Sequence, residues 1–257
     1  MNRTFQVTGI KTDLIKPGDD LIEHILKASQ NNDIYLRDHD ILILAESAVA
    51  TAQGRIISLE EQIPSQRACN LAKRYEMDPS LVEIILKESD DILGGIPGFL
   101  LCTNSGHLLP NAGVDGSNAP HGYVTLLPVD PDKTASSIRN SLYEKTGFNI
   151  AVLIVDSRTH MMRYGCGGVA LACSGIPGVI DERGREDLFG KELKVTRRAI
   201  ADNLASAAEL VMGEADERVP LVLIRGFNIE FGDYNGIETI NPEECLFIGG
   251  LKKWERL

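Results

Sequence analysis

Three stretches of the chain are apolar without interruption over the length of a strand: Ile41-Leu42-Ile43-Leu44-Ala45, residues 150–155, and Leu221-Val222-Leu223-Ile224. Runs this short and this uniform predict buried strands. They stop abruptly at Glu46-Ser47, Asp156-Ser157 and Arg225-Gly226. Groups held where a strand hands over to a loop are well placed for binding, so the three strand ends are expected around a shared cleft. Residues 5–10 predict a further strand. Leu21, Ile22, Ile25 and Leu26 recur at helical spacing after Pro17-Gly18-Asp19-Asp20, with Asp19 as N-cap. Helices are also predicted over 67–75, over 79–88 with Asp78 as cap and Pro79 in the first position, over 136–145, over 168–174, and over 197–212, which runs into Gly213-Glu214.

Between 93 and 128 the chain is rich in Gly, Pro and Asn, with short apolar runs at Phe99-Leu100-Leu101-Cys102 and over 123–127, a strand-and-loop composition. Strands and helices in this order predict a mixed α+β fold. With no internal repeat, low-complexity tract or Ser/Gly linker, residues 1–257 are expected to form one catalytic unit whose two subdomains, if present, are intertwined.

Charge narrows the function classes. Lys plus Arg number 26 against 37 Asp plus Glu, a net charge of −11, and such a surface repels nucleic-acid phosphates and anionic lipid. No segment approaches the run of about 18 apolar residues that a membrane helix needs, and the N-terminus lacks the apolar core of a signal peptide; a soluble cytoplasmic protein is expected. The five cysteines are odd in number and scattered, with no C-x-x-C pair, which argues against a disulfide framework and a structural zinc site.

Candidate chemistry lies in three segments. In Asn111-Ala112-Gly113-Val114-Asp115-Gly116-Ser117-Asn118, small residues let a ligand approach the backbone, and Asp115 beside Asn and Ser is a possible hard-cation ligand. An ordinary Asn/Gly turn has the same composition, and spacing leaves both readings open. Asp156 at a strand end could pair with Asp115 as a divalent-ion site that contacts phosphate, or could simply cap a helix or turn. Gly165-Cys166-Gly167-Gly168-Val169-Ala170 formally fits G-x-G-x-x-A. In the dinucleotide-binding fold the first glycine follows its strand at once, whereas here the segment 156–164 intervenes. What remains is a Gly-rich entry to the predicted 168–174 helix, with Arg163 as a bidentate donor for an anion, set against plain close packing. G-x-x-x-x-G-K-[ST] is absent, so neither a Rossmann nor a P-loop scaffold is expected.

Read in order, Gly9-Ile10, Leu14-Ile15-Lys16-Pro17-Gly18-Asp19-Asp20-Leu21, Gln53-Gly54-Arg55, the 111–118 segment, Asp156-Ser157, Arg163-x-Gly165, Asp187-Leu188-Phe189-Gly190-Lys191, Met212-Gly213-Glu214 and Val222-Leu223-Ile224-Arg225-Gly226 resemble the coenzyme F420-0:L-glutamate ligase family over nearly the whole chain. The resemblance implies that family's intertwined two-subdomain ligase fold, a homodimer, and GTP-dependent, γ-linked addition of L-glutamate to a deazaflavin coenzyme precursor through an acyl phosphate. It implies divalent-metal binding (magnesium or manganese, with potassium a further candidate ion) by Asp115, Asp156, Ser157 and Glu214. It also implies catalytic roles for Asp115, Asp156 and Arg163, and guanine-nucleotide contacts at Ile10, Lys11, Thr12, Asp13, Glu46, Ser47, Thr51, Asn118 and Gly213. Arg225 is a candidate, with Arg163, for contacts to anionic substrate.

The chain departs from the family pattern at Thr51, where lysine is common, at Gln53, at Thr159-His160, and at Glu214, where glutamine is usual. These departures keep two alternatives in view: a divergent amide ligase acting on another carboxylate, and a nucleotide-binding homologue without turnover. A flavin- or nicotinamide-linked oxidoreductase rests on residues 165–170 alone.

Overall fold

The computed structural model describes residues 4–250, and the chain divides into two compact units, 1–52 with 128–238, and 53–127 with 239–257. The first is built on a five-stranded sheet in the order Gln6–Ile10, Leu221–Arg225, Ile41–Ala45, Ala151–Thr159, Cys166–Ser174. Only Ile41–Ala45 and Ala151–Thr159 run parallel; the other neighbours are antiparallel.

The unbroken apolar runs exist because this sheet is covered on both faces. Leu42, Leu44, Val152, Ile154, Leu221 and Leu223 share one core with Ile25 and Ala28 of the helix Leu21–Asn31 and Ile138 and Leu142 of the helix Pro131–Thr146. The alternate residues Ile41, Ile43, Leu153, Val155, Val222 and Ile224 pack against Leu204, Ala205 and Ala208 of the helix Ile200–Met212. Successive strand side chains point to opposite faces, so burial of both leaves no polar alternation.

Several predicted boundaries move, each for a local reason. The N-cap of the first helix is Asp20, which accepts from the amides of Ile22 and Glu23, whereas Asp19 accepts from the Lys16 amide and meets His24. The 136–145 helix starts at Pro131, capped by Asp130, and ends at Gly147, whose φ is 76°. Arg197–Ala199 is not helical but pairs with Val179–Asp181, so the helix there begins at Ile200.

The expected helix over 168–174 is a strand. Cys166–Ser174 folds back on Ala151–Thr159, and its glycines and alanines serve close packing: a Cβ on Gly168 would lie 2.4 Å from the carbonyl carbon of Ala205. This removes both the dinucleotide reading of residues 165–170 and the helix N-terminus proposed as an anion site.

The second unit pairs the helices Gln66–Tyr75 and Pro79–Glu88 with an antiparallel sheet of Asp91–Ile96, Phe99–Asn104 and His107–Pro110. A two-stranded ribbon, Ile56–Ser58 with Tyr123–Thr125, and the short helix Leu246–Gly250 complete its described part. As the sequence predicts, Asp78 caps the second helix, accepting from Ser80 and Leu81. No helix among the described residues is long and apolar enough to cross a membrane.

Candidate functional site

Strand register decides which candidates meet within the first unit. Ile10 pairs with Leu221, Leu221 with Leu44, Leu44 with Ile154, and Ala45 with Val155. The turn after Ile10, the start of the helix Glu46–Ala52, Asp156-Ser157, and the segment 213–220 that leads into Leu221 therefore emerge at one end of one sheet. The Thr12 amide donates to Arg218 O (3.2 Å) and the Ala45 amide to Pro220 O (2.9 Å). Asn32 Nδ2 holds Lys11 O at 2.9 Å, and Asp13 pairs with Lys27 at 2.7 Å. Ser47 and Thr51, four residues apart on the short helix, lie on one face of it.

Asp156 does not close its strand, as the sequence suggested, but lies inside it at the point where burial ends; Ala151–Thr159 and Cys166–Ser174 continue outward as a two-stranded ribbon. The Ser157 amide donates to Asp156 Oδ1 (2.6 Å) and Ser157 Oγ donates to Glu214 Oε2 (3.3 Å). Gly213 ends the helix Ile200–Met212 at φ 74° and ψ 177°, a backbone conformation essentially reserved for glycine, so the turn that presents Glu214 requires glycine. Burial first, then the carboxylates of Glu214, Glu209 and Asp156, push the Cys166 thiol above its ordinary pKa, while a hydrogen bond from Ser157 opposes them. The environment disfavours a further negative charge there.

Two arginines fare differently from expectation. Arg163 lies on the exposed tip of the ribbon, in a turn closed by its amide and His160 O (3.1 Å). Arg225 is at the opposite end of the sheet from Asp156, because its strand is antiparallel to Ile41–Ala45 whereas the strand of Asp156 is parallel. There it grips Asp40 with Nε at 2.7 Å and Nη2 at 2.6 Å and reaches Tyr35 O at 2.7 Å. It is a structural cation, and the expectation that it shares a cleft with Asp156 and contacts anionic substrate is corrected.

In the second unit the 111–118 segment is part scaffold and part display. Asn111, Ala112 and Gly113 are left-handed at φ 50°, 57° and 78°. Asn111 Oδ1 accepts from the Leu100 amide (2.9 Å), Asn104 Nδ2 donates to Ala112 O (3.2 Å), and Ala112 is buried. A Cβ on Gly113 would lie 2.5 Å from the Leu127 side chain. The turn so fixed exposes Asp115, with Ser117 Oγ donating to its Oδ1 (3.1 Å), and Asn118, at φ 55°. Asp115 is anchored by backbone bonds with Thr125 in both directions. Arg55 of the Gln-Gly-Arg segment pairs with Glu88 at 2.7 Å and donates to Leu127 O.

Among the described residues no three His, Cys, Asp or Glu side chains are already gathered as a metal-holding group. The donor chemistry nevertheless suits a hard divalent cation: Asp156, Ser157 and Glu214 offer carboxylate and hydroxyl oxygens, two of them in contact. Sequence reasoning overlooked Glu209, whose Oε2 accepts from the Gly168 amide at 2.7 Å. The available signal was the spacing of Asp202, Ser206 and Glu209, a polar stripe on an otherwise alanine-rich helix.

The family described as F420-0:gamma-glutamyl ligase matches residues 9–226. A coenzyme F420:L-glutamate ligase of Methanopyrus kandleri is 44% identical over 223 residues, 86% of each chain. Another of that name, from Methanothermobacter thermautotrophicus, is 45% identical over 215 residues, covering 83% of this chain and 85% of its own. One from Methanocaldococcus jannaschii is 39% identical over 243 residues, covering 94% and 96%.

Proposed function

Because the chain belongs to the F420-0:gamma-glutamyl ligase family, we propose that it joins L-glutamate, through a γ-linked amide, to a deazaflavin coenzyme precursor with GTP as co-substrate. It is a ligase of that type. The observation that carries the reading is the convergence, at one end of one sheet, of the turn after Ile10, Glu46-Ser47, Asp156-Ser157 and Glu214.

In the proposed reaction a carboxylate oxygen of the acceptor attacks the γ-phosphorus of GTP, GDP departs, and an acyl phosphate forms. The glutamate amine then attacks the acyl carbon, releasing phosphate and losing a proton. Asp156, Ser157 and Glu214 would hold magnesium or manganese, and Asp115 of the second unit is proposed as a metal ligand on the family resemblance. The ion would neutralise charge on the triphosphate and the transferring phosphoryl group. The 10–13 turn, Glu46, Ser47, Thr51 and Gly213 are proposed nucleotide contacts, as is Asn118 on the family resemblance. Arg163, on its exposed tip, is proposed to meet the anionic substrate.

A homodimer is proposed as well. Asp187 Oδ1 accepts from the amides of Phe189 and Lys191, bracing a loop that leaves Leu188 99% and Phe189 94% exposed, and such fully displayed apolar side chains fit a subunit contact. Sedimentation of the purified chain tests this directly.

Glutamate- and acceptor-dependent phosphate release from GTP in magnesium, with the product followed by mass, tests the central reading. Asp115→Asn is expected to lower turnover at least about a hundredfold; unchanged turnover would remove Asp115 from the metal assignment. Thr51, where the resemblance implies that lysine is common, favours a second reading, a homologue that binds GTP without turnover. GTP binding with no phosphate release across a panel of carboxylate acceptors would select it.

A further inference from the structure

The strand Cys166–Ser174 is an edge of the five-stranded sheet. In an antiparallel ladder alternate residues turn their backbone N–H and C=O away from the neighbour, and on an edge strand those groups face nothing. Here the helix Ile200–Met212 supplies the missing partners. Asp202 Oδ1 accepts from the Ala170 amide (3.1 Å), Ser206 Oγ donates to Gly168 O (3.0 Å), and Glu209 Oε2 accepts from the Gly168 amide (2.7 Å). Both backbone groups of Gly168 are thus tied to side chains one turn apart.

Gly168 is the register partner of Ser157, and Val169 that of Asp156. Beyond Glu209 the helix runs only to Met212 before Gly213, whose amide donates to Glu209 O at 3.1 Å, and Glu214. Ser157 Oγ closes the circuit on Glu214 at 3.3 Å. Strands, helix and turn therefore form a ring of contacts in which Glu209, with Ser206, ties Gly168, on the strand paired with the one that carries Asp156-Ser157, to the helix that leads into Glu214. We propose that Glu209 is a positioning residue: by holding the Gly168 backbone it fixes Ser157 and Asp156 relative to Glu214. This rests on the proposed metal role of those three groups and deepens it.

The role requires a hydrogen-bond acceptor at Glu209, not its charge, and the variants separate the two. Manganese·GTP binding to the full chain is measured by isothermal titration, and folding by thermal melting without ligand. Glu209→Ala is expected to weaken manganese·GTP binding about tenfold, the size typical of losing a group that orients a metal ligand, with Glu209→Gln restoring it to within about threefold. Asp202→Ala, which frees the partner of Val155 instead, is expected to bind like the wild type.

A folded Glu209→Ala with wild-type affinity overturns the proposal. So does a Glu209→Gln as damaged as Glu209→Ala, which would make the charge itself the active element. If Glu209→Ala fails to fold, Ser206→Ala carries the test: weakened binding supports the ring, and unchanged binding overturns it. Absence of manganese·GTP binding by the wild type would instead sink the metal reading beneath it, so the two failures are distinguishable.

Discussion

At one end of the five-stranded sheet Asp40 is 1% exposed, and Arg225 holds both of its carboxylate oxygens. At the other end Asp156, Glu209 and Glu214 bear on a single thiol, and Ser157 donates to Asp156 through its amide and to Glu214 through its hydroxyl. The chemical raw material is the same at both ends. A buried carboxylate matched by a bidentate guanidinium is locked into the fold and serves little else. Carboxylates held near one another repel, and a bound cation would offset that repulsion.

The contrast breaks most readily at the Arg225 end. Arg225→Ala leaves Asp40 charged and buried, and urea unfolding is expected to show a loss of about 3 kcal/mol, with magnesium·GTP affinity unchanged by titration; a fall in affinity would mean the two ends are not separate. Next in size is the ligand effect at the other end. Magnesium·GTP at about a hundred times its dissociation constant should stabilise the protein by about 2.7 kcal/mol, measured as a shift in urea midpoint, and Asp156→Asn should abolish the shift. A retained shift would clear Asp156 of metal binding.

Gly168→Ala sharpens the comparison from the packing side. A methyl placed 2.4 Å from Ala205 backbone must push strand from helix, at a cost of about 2 kcal/mol in unfolding measurements, and should also weaken nucleotide binding because Ser157 moves with Gly168. The smallest effect concerns Glu214. Replacing it by glutamine relieves like-charge repulsion and should raise the ligand-free melting temperature by on the order of 1 °C. Glutamine-like stability with unaltered metal affinity would show that its charge is incidental.

Much of the fold was legible because burial writes itself into periodicity. The runs at 41–45 and 221–224 and the capping pair Asp78-Pro79 lie where expected, since each depends only on neighbours in sequence. The segment 165–174 was misread because glycine and alanine suit a helix packed closely or a strand packed closely; here the hairpin partner 151–159 decides. Of the candidate site, Asp156, Ser157 and Glu214 are singled out by the sequence and its family resemblance, and the hydrogen bond between the last two is a tertiary fact. Glu209 was overlooked because a carboxylate on an amphipathic helix reads as surface until its acceptor role toward Gly168 is seen.

The sequence by itself determined that 41–45, 151–155 and 221–224 are buried strands and that Asp78 caps the helix Pro79–Glu88, because an unbroken apolar run and an Asp-Pro cap are local signals. It could not determine strand direction. Periodicity specifies the face a side chain occupies but is identical read forwards or backwards, so Asp156 and Arg225, each following an apolar run, looked equivalent. Hydrogen-bond pairing between distant segments, parallel for one and antiparallel for the other, sent them to opposite ends of the sheet.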